Sequence, residues 1–308
     1  MKTIRCTISD LSPDIIERLN ATSLFSSVGF AQLWATLGGQ DVYWVTKEGE
    51  KTLAVLPGVE FGKRPLRRFQ AMPAGCYAVL VPVSDLKTDA RNVALSTAQA
   101  LQIEGYLKLY LTDYYSQFAH VDGFEISEEK TILVDISQPD WQPPDKKIQS
   151  EIRKAEREGV IVQRFNAGRH FDGFLSLVQQ TKERHDSRTI YHEDFFRALA
   201  GLAESDDRVR WLFTEHESHP VASHIDFLLG DTVLNWQVYS DRAYSYLKPN
   251  QYMLYTVGRE AALMGVRFLN LGSSPDDAGG LVTYKRKWGG REYKYQLYHL
   301  KSRLGDLL

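Results

Sequence analysis

Ala261-Ala-Leu-Met-Gly-Val-Arg-Phe-Leu-Asn-Leu271 carries a helix end, one glycine and an alternating strand in immediate succession. Glycine closes a helix in the left-handed conformation without the steric cost of a β-carbon. Upstream, Pro249 suits the entry to a helix, where its missing N–H is not needed, so a helix is predicted from about Asn250 to Met264. Before it, three runs read as strands: Val209-Arg-Trp-Leu-Phe-Thr214, Val221-Ala-Ser-His-Ile-Asp-Phe-Leu228 and Thr232-Val-Leu-Asn-Trp-Gln-Val-Tyr239. Short turns at Glu217-Ser-His-Pro220 and Gly230-Asp231 separate them, which predicts an antiparallel meander. Further back, Phe171, Phe174, Leu175 and Val178 keep the spacing of one helix face, and Glu193 to Ala203 reads as a helix with an acidic first turn. Lys146 to Glu158 is helical by composition, Gly159 closes it, and Val160-Ile-Val162 opens a strand.

The first half repeats this order in outline. Phe30 to Trp34 looks helical, and Val42-Tyr-Trp-Val-Thr46 and Thr52-Leu-Ala-Val-Leu56 form a hairpin across Glu48-Gly49-Glu50. A helix ends at Ala100-Leu-Gln-Ile-Glu-Gly105, and Tyr106-Leu-Lys-Leu-Tyr-Leu111 follows as a strand. Helix, glycine and strand thus recur as they stand at 261–271, which suggests two copies of one α/β unit. The strand-like Glu129 to Ser137 runs into Gln138-Pro-Asp-Trp-Gln-Pro-Pro144, a cluster that fits neither a helix nor a central strand. The expected division is therefore 1–137 and 138–308.

The bulk numbers are those of a core-forming globular protein: 308 residues, 43% hydrophobic and 25% charged. Two cysteines, Cys6 and Cys76, exclude a disulfide framework and a cysteine-based zinc site. His216 and His219 flank a hairpin turn with no further ligand at suitable spacing, so no metal is expected. The formal net charge of -2 gives no broadly basic nucleic-acid surface. No apolar run approaches the ~20 residues that span a bilayer. The first ten residues lack the apolar core of a signal peptide, so a cytoplasmic protein is expected.

With Val134-Asp-Ile-Ser137, Ile152-Arg-Lys-Ala-Glu-Arg-Glu-Gly-Val160, Thr181-Lys-Glu-Arg184, Pro249, Gly272-Ser-Ser274, Gly280-Leu-Val-Thr-Tyr-Lys285 and Trp288-Gly289 in this order, the second half resembles the acetyltransferase-like domain of the Fem family within the GNAT superfamily. The first half resembles the divergent repeat of such proteins. The resemblance implies an α/β (α+β) fold of two tandem GNAT-like domains, each a mixed, largely antiparallel sheet flanked by helices. It also implies acyl transfer to an amine, with Lys285 in the active site and Arg184 as a ligand for a substrate phosphate. Fem enzymes that use aminoacyl-tRNA bind a nucleotide-linked cell-wall precursor, and other relatives use acyl-CoA. Two features depart from these patterns. Tyr244-Ser-Tyr-Leu-Lys-Pro-Asn250 has no glycine where CoA users carry a glycine-rich pyrophosphate loop, and no sustained heptads mark a coiled-coil insertion.

Each candidate residue also has an ordinary reading. Lys285 lies in Lys285-Arg286-Lys287, which alone reads as a solvated basic turn; the neighbouring Gly279-Gly280 allows close backbone approach to a ligand and makes Gly280 a candidate contact. Arg184 ends a charged helix, and its guanidinium suits phosphate. His224 and Asp226 share one face of a strand, where a polar outer face is the common explanation; as site residues, Asp226 orients or deprotonates an acceptor amine and His224 assists it. Tyr239 ends the next strand as a candidate partner for donor or acceptor. Tyr244 and Tyr246 are candidate cleft residues, although tyrosines often sit half-buried without a role.

The expected function is N-acyl transfer from an activated donor to an amine of a cell-envelope or metabolite precursor. Acyl-CoA is placed first as donor, with aminoacyl-tRNA beside it. The acceptor is a small-molecule or nucleotide-linked amine. A non-catalytic binding module on the same fold is the alternative from another class.

Overall fold

The computed structural model describes residues 1–73, 75–85, 90–118, 121–185, 191–274 and 279–301. They divide into two units: Met1–Glu129 together with the stretch from Lys294, and Lys130–Tyr293. The elements of the first are β1 (Lys2–Cys6), α1 (Pro13–Thr22), α2 (Val28–Leu33), β2 (Gly39–Glu48), β3 (Lys51–Phe61), β4 (Arg68–Ala71), β5 (Val81–Pro82), α3 (Ala90–Ile103) and β6 (Lys108–Asp113). The strand β7 (Glu125–Asp135) leads on to α4 (Lys146–Arg157), β8 (Ile161–Arg164), α5 (Ala167–His185), α6 (Glu193–Ser205), β9 (Val209–His216), β10 (His219–Leu229) and β11 (Thr232–Ser240). The chain then forms α7 (Pro249–Leu263), β12 (Phe268–Asn270), α8 (Gly279–Lys287) and β13 (Arg291–Lys301).

In the first unit β1, β2, β3 and β4 are neighbours in that order, all antiparallel, and β6 lies parallel to β4. The hairpin read from Val42 to Leu56 is β2–β3. Val93, Ala94, Ala98 and Leu101 form the buried stripe of α3, in one apolar core with Val42, Trp44, Phe69 and Leu109 of the sheet.

The second unit contains the predicted meander, with β8, β9, β10 and β11 antiparallel in succession. The strand β12 then pairs parallel with β11 and antiparallel with β7, so this sheet too is mixed and largely antiparallel. Ile148, Ile152 and Ala155 are the buried stripe of α4, whose N-terminus is capped by Asp145 accepting from the Lys147 and Ile148 amides. With Met253, Leu254 and Val257 of α7, Ile148 and Ile152 pack in one core with Leu212, Ala222 and Val233 of the sheet. Phe174 of α5 and Phe196 of α6 meet Trp211 and Tyr239. The sheet is thus covered by two separate helical layers.

Two differences from the sequence reading have physical causes. The division falls inside β7 rather than at the proline cluster, and the last strand returns to the first unit, where Gln296–Lys301 pairs with Lys108–Asp113. Such a pairing depends on residues far apart in sequence, which local pattern does not report. The basic segment around Lys285 is not a turn but the helix α8, ended by Gly289 at φ 86°. At Gly290 a β-carbon would stand 2.7 Å from the Lys285 carbonyl oxygen, so the exit from α8 requires glycine.

Candidate active site

A cavity of about 540 Å³ lies in the second unit at the N-terminus of α7. Trp236, Val238, Leu254, Leu271, Leu281 and Tyr284 supply its apolar and aromatic wall. His224, Asn235, Asn250 and Gln251 supply neutral polar groups, while Lys248 and Lys285 are its cationic residues.

The strands position these groups through one irregularity. Ile225 is paired with Gln237 but Asp226 with Asn235, so Trp236 is an extra residue in β11. A bulge of this kind re-aims side chains locally. Asn235 thereby stands opposite Asp226, and both Asn235 and Trp236 reach the cavity.

Behind the cavity wall, Asn235 Nδ2 donates to Asp226 Oδ1 at 2.7 Å and approaches His224 Nδ1 at 3.4 Å. His224 Nε2 lies 3.3 Å from Asn250 Oδ1. This network assigns the ring proton to Nε2, pointing at Asn250, with Nδ1 turned to Asn235. Burial lowers the His224 pKa to about 4, so the ring is neutral at neutral pH. Asp226 is fully buried, and its Oδ2 has no hydrogen-bond partner. Burial pushes its carboxyl up to about 7, against a smaller opposing effect of the Asn235 bond. The polar pair on β10 is therefore an interior cluster and not a solvated face, which corrects the ordinary reading of that alternation.

Lys285 is only 5% exposed. Its Nζ donates to Gly272 O at 2.9 Å, Ser273 O at 2.6 Å and Ser274 Oγ at 2.9 Å. These are three acceptors for the three N–H bonds of an ammonium group. Burial lowers its pKa to about 8. The side chain thus ties α8 to the segment that follows β12. Burial likewise raises the neighbouring Tyr284 hydroxyl to about 12.

Of the residues singled out in the sequence, His224 and Lys285 line this cavity, and Asp226 stands one residue behind it. Tyr239 does not reach it; its ring packs against Phe174 and Phe196, and its hydroxyl lies 3.4 Å from Gln237 Oε1. Arg184 donates to the Ser240 carbonyl oxygen at 3.2 Å. Tyr244 and Tyr246 lie on a 3-10 turn, Arg242–Leu247, of which only Ser245 lines the cavity. The Tyr244 ring faces His219 at 5.8 Å, and Tyr246 is exposed beside Lys154. Gly280 is in the first turn of α8, next to Leu281 of the wall. Among the described residues no three His, Cys, Asp or Glu side chains are placed to hold a metal ion.

The sequence reading missed Asn235, Asn250, Trp236 and Tyr284. Asn235 left one signal, an amide within the otherwise apolar run Val233-Leu-Asn-Trp236. The bulge that gives Trp236 its place has no such local mark.

Residues 145–294 match the family model described as the acetyltransferase (GNAT) domain. Among solved structures, FemX aligns over 100% of both chains with a TM-score of 0.72 and 14% identity. The C-terminal domain of a protein assigned as a lysylphosphatidylglycerol synthetase, from Agrobacterium fabrum, aligns with a TM-score of 0.63 and 10% identity over 96% of this chain and 94% of its own. A tandem GNAT protein from the clavulanic acid biosynthesis pathway aligns at 0.54 and 10% identity over 97% and 98%. No curated protein matches the sequence. Residues 145–294 thus carry a GNAT-type acetyltransferase domain, and the fold of the chain is that of tandem GNAT-like structures. With FemX the chain shares its fold over its whole length.

Proposed function

We propose that the second unit transfers an acyl group from an activated ester to an amine, and that the donor is an aminoacyl ester carried on tRNA. The observation that carries the donor assignment is the turn from β11 into α7. A diphosphate at a helix N-terminus needs backbone N–H groups turned towards it. In this turn the Ala243 amide is taken by Asp241 Oδ1 at 2.8 Å, and the Lys248 amide by the Ser245 carbonyl oxygen at 3.2 Å. Pro249, the first residue of α7, has no N–H to give. A side chain, Lys248 at φ 61°, occupies the left-handed position where a glycine-rich loop would leave room. This turn supports an aminoacyl-tRNA donor ahead of the acyl-CoA that the sequence reading placed first.

In the proposed reaction the acceptor nitrogen attacks the acyl carbon, the ester C–O bond breaks, and an amide forms. One proton leaves the nitrogen and one arrives on the departing ribose oxygen. His224, neutral and held at both ring nitrogens, lines the cavity where the nitrogen arrives and positions the Asn250 and Asn235 amides beside it. Asn235 is oriented from behind by Asp226 and presents its amide to the same space. Lys285 acts through the 272–274 segment that it fixes, because its own N–H bonds are engaged. Arg184, Tyr244, Tyr246 and Gly280, outside the cavity, are contacts for the parts of donor or acceptor that extend beyond it. The resemblance to Fem enzymes supports a small-molecule or nucleotide-linked acceptor.

The test supplies purified protein with labelled aminoacyl-tRNA or labelled acetyl-CoA over a panel of amines. Transfer from charged tRNA alone is the expected result. Transfer from acetyl-CoA alone would restore the other donor. A biological effect that survives Lys285→Ala, without turnover from either donor, would favour a binding module.

A further inference from the structure

The outward face of α4 breaks two rules that a solvated helix face ordinarily keeps. The helix buries Ile148, Ile152 and Ala155, and Glu151 and Glu156 flank that stripe. Opposite it, Lys146, Ser150, Arg153 and Arg157 form one exposed row at i, i+4, i+7 and i+11, with Lys147 and Lys154 beside it. Arg153 and Arg157 are like charges one turn apart, which weakens a helix where an opposite pair would support it. Lys146 and Lys147 open the helix with no acidic residue in its first turn, at the end where the macrodipole disfavours cations. Glu151 turns to α7 instead, 3.5 Å from Lys248 Nζ and accepting from Gln251 Nε2 at 3.3 Å. A row of cations kept against the preference of its own helix fits a polyanion better than water.

An aromatic ring stands beside this row. Tyr246 is 54% exposed, and Lys154 Nζ lies 5.8 Å from its ring centroid. Leu247 anchors the turn by packing with Ala155 of α4 and with Val160. Ser245 and Lys248, on either side of these two residues, line the cavity. Cations, exposed ring and cavity mouth thus follow one another within the second unit. The row is about 16 Å long at about 1.5 Å per residue, the length of four or five stacked nucleotides at about 3.4 Å each. Single strands are held in this way, with cations along the backbone and bases stacked on aromatic faces.

We infer that the outward face of α4 and Tyr246 bind the single-stranded end of a nucleic acid, its phosphates on Lys146, Arg153 and Arg157 and one base on Tyr246. The inference rests on the aminoacyl-tRNA reading of the cavity and adds a path to it: the esterified end passes Tyr246 and enters by Ser245 and Lys248.

The experiment titrates the whole chain into a short, unacylated, fluorescently labelled single-stranded RNA and follows anisotropy at several salt concentrations. Binding should weaken with salt, with log K falling by about 0.7 per log unit for each phosphate neutralised. Arg153→Gln together with Arg157→Gln should weaken binding roughly tenfold at low salt and reduce that slope by about 1.4. Tyr246→Ala should also weaken it roughly tenfold but leave the slope unchanged, and Tyr246→Phe should restore it, since stacking needs the ring and not the hydroxyl. These positions are exposed, and an unchanged denaturation midpoint checks that each variant folds. Absence of RNA binding, RNA binding that the substitutions do not alter, or binding to anionic lipid vesicles in place of RNA overturns the inference. The donor reading is tested apart from it by transfer from charged tRNA. Transfer that proceeds with unchanged KM in the Arg153, Arg157 and Tyr246 variants keeps the donor and removes the track. RNA binding that depends on these residues, without transfer from charged tRNA, keeps the track and removes the donor.

Discussion

The two units each bury a carboxylate within a sheet and treat it in opposite ways. In the first, Glu60 of β3 is 4% exposed and receives Arg5 Nε at 2.8 Å and Arg5 NH2 at 2.7 Å. The Tyr106 hydroxyl also donates to it, and Arg67 stands at 3.4 Å. Burial alone would raise its pKa, but the bonds from Arg5 and Tyr106 more than offset that, so the carboxyl stays ionised below its ordinary range. In the second unit Asp226 of β10 has one neutral partner, Asn235, and one oxygen with none. Burial there dominates and lifts the carboxyl to about 7. A fully paired buried acid stabilises its surroundings in one charge state. A half-paired one keeps two states within reach near neutral pH, as groups at reactive sites commonly do.

The largest expected effect tests the half-paired acid. The folded pKa of Asp226 is raised above the unfolded value of about 3.9, so its contribution to stability is fully present below about pH 4 and lost as pH rises through about 7. Asp226→Asn should remove that loss, raising stability at pH 8 relative to the unaltered protein by an amount of order 4 kcal/mol and changing little at pH 4. Urea unfolding at the two pH values measures it. A gain of equal size at both would mean that Asp226 is not the titrating group.

Next comes the paired acid, where the sign reverses. Glu60→Ala leaves Arg5 and Arg67 facing each other without their carboxylate and should destabilise the protein by about 3 kcal/mol, with little dependence between pH 6 and 8. A denaturation midpoint that does not move would remove the contrast between the units. The contrast sharpens at Lys285, the buried cation beside the cavity. Lys285→Ala should cut acyl transfer roughly a hundredfold by releasing the 272–274 segment, with circular dichroism unchanged. Full activity would show that the segment holds its place without that side chain. The smallest effect is expected at a third carboxylate, the helix cap Asp145. Asp145→Ala removes the oxygen that accepts from two amides of the first turn of α4, at 2.9 and 3.0 Å, and should cost about 1 kcal/mol without altering transfer. A larger loss, or lost activity, would mean that Asp145 does more than cap α4.

Much of the fold was legible where local chemistry is decisive. Gly159 and Gly265 end their helices at φ 76° and 79°, and Pro249 opens α7, as their residue types require. The turns after His216 and Leu229 fold the meander as read, because short polar turns between apolar runs leave few alternatives. The strand expected over Val266–Leu271 is shorter, Phe268–Asn270, since the Arg267 amide turns to the Asp231 carbonyl oxygen. The site was less legible. Lys285 was found by its motif, but its apparent setting, a solvated basic turn, was wrong. Its neighbours Arg286 and Lys287 lie on other faces of α8, so a run of charge in sequence does not remain together in space.

By itself the sequence determined the α/β class, the repeat of helix, glycine and strand, and the positions His224, Asp226 and Lys285 as chemistry worth following. These follow from backbone freedom, periodicity and residue type, which act over a few positions. Tertiary structure alone decided that Asn235 meets Asp226 through a bulge, that Tyr239 packs away among phenylalanines, and that the Lys285 ammonium is spent on two carbonyls and a hydroxyl. It also decided that the last strand belongs with the first unit. Each of these rests on groups brought together from distant parts of the chain, where burial and hydrogen-bond partners set the charge state that function depends on.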